Sequence, residues 1–377
     1  MSESSIMNKL LLVNTSNLHT GGGVQVAISF LYELSLLDSD LSNIHVVASS
    51  EVADGLMRLQ TNVLNFGKYD ILDTFGLKAL YSNLNNRIKN YDVVFTVFGP
   101  NYLRCKAEKE IVGFAQPWIL NFKNPISENM SFFNRSKLRI RFHLQWLFFF
   151  RSDDYIVELE HVKEALILLK NIDGSKINVV YNTVSSLYKD KSKWESVLIK
   201  KNSEDFSLGI VTRDYPHKNL AVLPLVAEAL DVQHNLKVHF YTTLNDLEWD
   251  TKDEYFKRYV STVGSLSPDE CPSFYEQIDG VIFPSLLECF SATPLEAMVM
   301  EKPLFASDRG FVRDVCGNNA VYFDPVDPND IANKIADYLK SDIDYSYELK
   351  QAKMHALNFS NAKGRAEGYL KIIHEHL

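Results

Sequence analysis

"GVIFPSLLECFSATPLEAMVM", residues 280–300, reads as a strand, a short loop and a helix in succession. Val281–Phe283 is a continuous apolar run, the mark of a strand covered on both faces, and Pro284-Ser285 ends it. Thr293-Pro294-Leu295-Glu296 has the composition of a helix start. Threonine suits the cap, proline the first helical position, and glutamate three residues after the cap closes a capping box. Two carboxylates, Glu288 and Glu296, bracket "ECFSATPLE" with seven residues between them. They could be an acid pair, a cap plus a solvated charge, or two parts of one pocket.

The same alternation extends in both directions. "KLLLVNTS" (9–16), "IHVVAS" (44–49), "YDVVFTVFG" (91–99), "EIVGFAQ" (110–116), "DDYIVEL" (153–159) and "KINVVYN" (176–182) are strand candidates. After Gly21-Gly22-Gly23, the apolar residues Val24, Ala27, Ile28, Leu31 and Leu34 keep helical spacing. The pattern restarts after the polar stretch 188–205 with "FSLGIVT" (206–212), "LKVHFYT" (236–242), "GVIFPS" (280–285) and "KPLFASD" (302–308). Helical segments at 219–231, 294–300 and 328–340 separate these. Strands alternating with helices imply parallel sheets covered on both faces. The expected architecture is α/β, with two doubly wound halves, a linker near 185–205 and a site in the cleft between them.

Composition sets the outer bounds. At 377 residues, a length of ~150 per domain suggests about two domains. A net charge of −9 argues against bulk nucleic-acid binding. No stretch approaches the ~20 apolar residues of a membrane span, and the apolar run after Lys9 is too short for a signal-peptide core. Cys105, Cys271, Cys289 and Cys316 form no C-x-x-C, and the histidines form no H-E-x-x-H, so neither a structural disulfide nor a zinc site is expected. A cytoplasmic protein is the simple reading. His143 and His217 read as surface or packing residues.

A phosphate at the loop before Thr293 would meet the free N–H groups of a helix start. It would also need cations. Arg213 and Lys218 in "VTRDYPHKN" follow a strand and are five apart across a loop containing Pro216. An isolated R-x4-K is otherwise the mark of a solvated loop.

Together, Glu288 and Glu296 at E-x7-E spacing, Pro284-Ser285 before them and Ala297-Met298 after them resemble the signature of retaining glycosyltransferases of family 4. "SLGIVTRDYPHKNLAVL" resembles that family's glycine-arginine-to-lysine segment. "STVGSLSPDECPSFYEQIDGVIFPS" and "KPLFASDRGFVRDVCGNNAVYFDPVDPNDIANKI" resemble its flanking stretches. The likeness covers almost all of 206–340; it is weaker over 1–185, carried there by "HTGGGVQVA", "SDDYIVELEHVKEAL" and "INVVYNTV". It implies the GT-B fold, with two facing Rossmann-like domains: 1–187 on the acceptor side, 188–358 binding the nucleotide sugar, and a last helix, 359–377, crossing back to the N-terminal domain.

The resemblance also implies roles. Arg213 and Lys218 would grip the donor diphosphate, Glu296 would bind ribose hydroxyls, and Glu288 would contact the sugar near the reacting carbon. Backbone N–H groups of Phe290 and Ser291 would touch phosphate or sugar, with Cys289 and Thr293 on the same turn. Gly22 and Gly23 would lie near the phosphates or the acceptor, although the triplet alone reads as a tight turn. Three positions depart from the family pattern. Cys289 and Ser291 replace glycines, Thr212 replaces the glycine before the arginine, and Gln116 stands nearest to where many relatives carry a histidine.

The expected chemistry is retaining transfer of a hexose-type sugar from a UDP- or GDP-linked donor to a glycan or lipid-linked glycan, in surface polysaccharide (O-antigen or capsule) assembly. No nucleophile is evident, which favours front-face displacement. Two cations would neutralise the leaving diphosphate and no D-x-D motif is present over 206–340, so no metal and no cofactor is expected. A non-catalytic sugar-nucleotide-binding subunit and a phosphorylase of the same fold remain alternatives.

One segment lies outside this scheme. Residues 123–151 hold six cations (Lys123, Arg135, Lys137, Arg139, Arg141, Arg151) against one acid, Glu128, with phenylalanines and Trp146 interleaved. This reads either as an anionic-membrane contact on the inner face of the cytoplasmic membrane or as a core helix with a solvated basic start.

Overall fold

The computed structural model describes residues 9–37, 40–121, 123–201 and 205–377. Two compact units emerge. One gathers the described residues up to Leu120, Phe132–Asn182 and Ala362–Leu377; the other holds 121–131 and Thr183–Asn361.

The first unit contains β1 (Leu11–Thr15), β2 (Ile44–Ala48), β3 (Lys68–Ile71), β4 (Val93–Thr96), β5 (Lys109–Gly113), β6 (Asp154–Val157) and β7 (Ile177–Val179). They form one parallel sheet in the order β3-β2-β1-β4-β5-β6-β7. The central strands are buried along their length, as their apolar runs Leu11–Val13 and Val93–Phe95 require, with Asn14, Thr15 and Thr96 buried at their carboxyl ends. Helix Gly22–Ser35 packs Phe30, Leu31 and Leu34 into this core. The last helix, Ala362–His374, belongs to the same core: the Tyr369 ring lies 5.1 Å from Phe30 and 5.2 Å from Phe95. A buried polar network also holds it. Arg365 donates to Asn182 Oδ1, and Asn182 Nδ2 donates to Glu158 Oε1 at 2.7 Å.

The second unit contains β8 (Phe206–Ile210), β9 (Val238–Thr242), β10 (Val260–Thr262), β11 (Gly280–Phe283), β12 (Leu304–Ser307) and β13 (Val321–Phe323). This sheet is also parallel, in the order β10-β9-β8-β11-β12-β13. A Cβ at Gly209 on β8 would lie 2.5 Å from Ile278 Cδ1 and 2.9 Å from Phe274 Cζ, so a side chain there would force both of them to shift. Helix Cys271–Gln277 can therefore sit close against the sheet.

Two expectations need correction. β3, β10 and β13 were absent from the strand candidates. All three are partly exposed sheet edges of three or four residues; β3 and β10 mix polar with apolar residues, whereas Val321–Phe323 of β13 is an apolar run that went unassigned. The polar stretch 188–205 is not a free linker over its described part. Tyr188 and Ile199 are buried, Ser273 Oγ donates to Glu195 O at 2.6 Å, and Gln277 exchanges bonds with Val197 O and Ile199 N.

Candidate functional site

In the second sheet the strand order turns back between β8 and β11, so the loops leaving their carboxyl ends emerge side by side. Such a switch point is where doubly wound sheets bind ligands. The two loops are tied directly: Leu286 N–H donates to His217 O at 2.8 Å. In the loop after β8, Thr212 N–H donates to Thr243 Oγ1 at 2.8 Å while Thr243 Oγ1 donates back to Thr212 O at 2.9 Å. The backbone at Thr212 is thus pinned to the residue just after β9.

Lys218 ends the turn Pro216–Lys218 and reaches across to the β11 loop. Its Nζ lies 2.9 Å from Glu288 Oε1 and 5.6 Å from the centre of the Phe283 ring. Asn219, in the left-handed conformation at φ 56°, fixes the following bend by donating to Pro325 O at 2.8 Å. His217 stacks on Tyr215 at 5.5 Å, and burial lowers its pKa although Glu288 opposes the shift.

Arg213 takes a different partner. Its Nε donates to both oxygens of Glu248, at 2.9 and 3.0 Å. Glu248 lies in the first turn of helix Asp246–Asp250 and forms a capping box with Asn245. Burial would raise its pKa, but Arg213 and the N–H groups of Asp214 and Asn245 hold it below the usual carboxylate value. Glu248 was not among the sequence candidates, because 35 residues separate it from Arg213.

Glu296 corrects the capping expectation. Helix Thr293–Val299 has Ala292 at its cap and no side-chain capping bond. Thr293 is the first helical residue rather than the cap. The Glu296 carboxylate instead accepts the Tyr275 hydroxyl at 2.8 Å. Burial raises the Glu296 pKa, opposed by tyrosine hydroxyls and by the charge of Lys218. Tyr188 is buried beside Tyr275, the rings 6.0 Å apart, and the Glu296 charge holds both phenols well above their ordinary value in addition to the larger effect of burial. Neither tyrosine was singled out in the sequence; only the packing of helix Cys271–Gln277 brings Tyr275 to Glu296.

Between the two glutamates, Cys289 and Ser291 are buried. The N–H groups of Phe290 and Ser291 donate to no acceptor among the described residues. Ser285 Oγ, just after β11, is buried without a hydrogen-bond partner among the described residues. Lys218, Glu288, Glu296 and the Phe290-Ser291 turn are thus one cluster, while Arg213 is paired with Glu248. Gly22, Gly23 and Gln116 belong to the first unit. Gly21 adopts φ 76° ahead of helix Gly22–Ser35, a conformation that favours glycine. A Cβ at Gly22 would meet nothing within 4 Å, and one at Gly23 would touch Phe98 at 3.4 Å and Leu18 at 3.5 Å. Gln116 is partly exposed just after β5, its carbonyl accepting from Ile119 N at 3.2 Å.

Comparison with known proteins gives these features a context. Residues 192–355 match the family described as Glycosyl transferases group 1. A segment of 168 residues is 27% identical to the O-antigen chain mannosyltransferase RfbU of Salmonella typhimurium, covering 44% of this chain and 45% of that protein. The chain therefore aligns with less than half the length of this curated relative. Solved structures match more widely. A glycosyltransferase from Rickettsia africae superimposes with a TM-score of 0.68 at 16% identity, over 98% of this chain and 99% of that one. HepE of Anabaena in complex with UDP-glucose gives 0.67 at 15% identity, over 97% of this chain and 100% of that one. The chain has the GT-B fold of glycosyltransferases along nearly its whole length, and the segment matching group 1 glycosyl transferases contains Arg213, Lys218, Glu288 and Glu296.

Proposed function

We propose that the chain is a retaining glycosyltransferase that moves a hexose-type sugar from a UDP- or GDP-linked donor to a glycan or lipid-linked glycan, in O-antigen or capsule assembly at the cytoplasmic face of the membrane. The observation that carries this reading is the sheltered Lys218–Glu288 pair beside Glu296 at the switch point of the second sheet. The group 1 match over these residues supports transfer, RfbU supports a surface polysaccharide, and HepE with UDP-glucose supports a nucleotide-sugar donor.

In this scheme Lys218 and Arg213 meet the donor diphosphate, Glu296 accepts from ribose hydroxyls, and Glu288 faces the sugar. The bond between the anomeric carbon and the phosphate oxygen breaks while the acceptor oxygen bonds to that carbon on the same face. The acceptor's proton passes to the departing phosphate oxygen. Catalysis then rests on positioning and on stabilising charge on the leaving group. With both cations at the diphosphate, no metal is required, and activity in excess chelator is expected to be undiminished. Cys289 and Ser291 narrow the turn where glycines are usual, so they bear on sugar choice.

A panel of UDP-, GDP- and ADP-sugars tests the reading. One donor should raise the melting temperature; at ~100 times its dissociation constant it adds about 2.7 kcal/mol. NMR of the product should show the donor's anomeric configuration. Inversion would exclude retention, and binding without turnover on any glycan acceptor would point to a non-catalytic subunit.

A further inference from the structure

Helix Phe132–Phe149 in the first unit has two apolar sides. One faces the core. Phe142 and Phe149 are buried, Phe142 stacked on Trp118 at 5.7 Å and Phe149 against Phe114 at 4.8 Å. The other faces outward. Phe133, Ile140, Leu144 and Leu147 are 82%, 63%, 43% and 49% exposed. Their spacing keeps them on one stripe, and at about 100° per residue that stripe lies roughly opposite Phe142 and Phe149. The core therefore accounts for one side of the helix and leaves the second unexplained. Single exposed apolar residues are ordinary, but Ile140, Leu144 and Leu147 on successive turns, in line with Phe133, form a stripe that marks an interaction surface.

Charge identifies the occupant. Lys137 and Arg141 border the stripe on one flank and Arg139 lies on the other, all exposed. No acid occurs between Asn129 and Ser152, in a chain of net charge −9. A second copy docked on this face would set cations against cations. A bilayer with anionic headgroups satisfies both features at once: the apolar stripe enters the headgroup–acyl boundary and the flanking cations meet the headgroups. Among the described residues no helix is long and apolar enough to cross a membrane, so the helix would lie in the surface plane.

We propose that helix Phe132–Phe149 docks the protein on anionic bilayers, with Phe133, Ile140, Leu144 and Leu147 inserted and Lys137, Arg139 and Arg141 on the headgroups. This goes beyond the transfer reaction and does not depend on it.

Co-sedimentation of the full chain with vesicles tests the proposal, without nucleotide or acceptor, so that its failure is separable from failure of the transferase reading. Vesicles of phosphatidylglycerol and phosphatidylcholine at low salt should bind at least about tenfold more protein than phosphatidylcholine alone. Phe133→Ser with Leu144→Ser, and separately Lys137→Glu with Arg141→Glu, should each lower binding by about tenfold at an unchanged melting temperature. Equal binding to both vesicle types, or wild-type binding by both double variants, overturns the proposal. So does lipid-free self-association that Phe133→Ser with Leu144→Ser abolishes.

Discussion

Lys218 Nζ and Glu288 Oε1 are 2.9 Å apart, with only 14% and 10% of their side chains exposed. The cation proposed to meet the donor diphosphate is already neutralised by the carboxylate proposed to face the sugar. A diphosphate binding here must therefore share Lys218 with Glu288. Lys218→Ala should lower kcat by ~10²–10³, the typical cost of one preorganised donor. Glu288→Gln should separate binding from chemistry. It frees the Lys218 charge, so UDP or GDP affinity is retained or increased while kcat falls. Weaker nucleotide binding in Glu288→Gln, measured by calorimetry, would contradict this division of labour.

Tyr275 gives the corresponding control on Glu296. Its hydroxyl is the donor that orients the carboxylate, at 2.8 Å. Tyr275→Phe leaves that buried oxygen without its donor, a loss of about 1–3 kcal/mol in stability. If Glu296 also holds the donor ribose, nucleotide affinity should drop roughly tenfold, which corresponds to about 1.4 kcal/mol. Chemical denaturation and nucleotide titration of the same variant read the two effects. A stability loss with unchanged affinity would make Glu296 purely structural.

Arg213 should depend on Glu248. Glu248→Gln can keep the capping box with Asn245, since glutamine serves there as glutamate does, but it loses the charge on Arg213. Glu248→Ala loses both and should cost about 1 kcal/mol more in stability. The donor KM should rise in both variants with a smaller change in kcat, because Arg213 is displaced rather than removed. An unchanged KM in both would show that Arg213 needs no such positioning.

Glu158 should contribute a loss of stability as pH rises from about 4.5 to about 7, set against the opposite contribution of His217, whose pKa burial lowers. Glu158 is buried, and burial raises its carboxyl from 4.5 to about 7 against the pull of Arg365 and Asn182. Over that interval the folded chain holds a proton that the unfolded chain has released, so raising the pH favours unfolding. Burial acts in the same direction on Glu110, also raised to about 7, and on Glu296. Glu158→Gln should therefore flatten part of the slope between pH 5 and pH 7 in urea-unfolding midpoints. A slope identical to wild type would remove Glu158 as a contributor.

The sequence by itself determined the alternation of strands and helices, the parallel sheets and the identity of the charged groups at the switch point. Continuous apolar runs such as Val281–Phe283 and helical spacing such as Val24 to Leu34 are local patterns, and burial enforces them wherever the chain lies. The short edges β3 and β10 carried no such pattern. Tertiary structure alone decided the partners. Lys218 meets Glu288 across 70 residues, Arg213 meets Glu248 across 35, and Tyr275 meets Glu296 across 21. The local composition of Thr293-Pro294-Leu295-Glu296 pointed to a capping box, yet the helix begins one residue earlier than that box requires. A buried carboxylate needs a donor wherever one is packed against it, and helix Cys271–Gln277 brings the Tyr275 hydroxyl there. The basic aromatic segment shows the same limit. Its composition admitted a core helix or a surface helix, and only the packing showed that one side serves the core while the other is open.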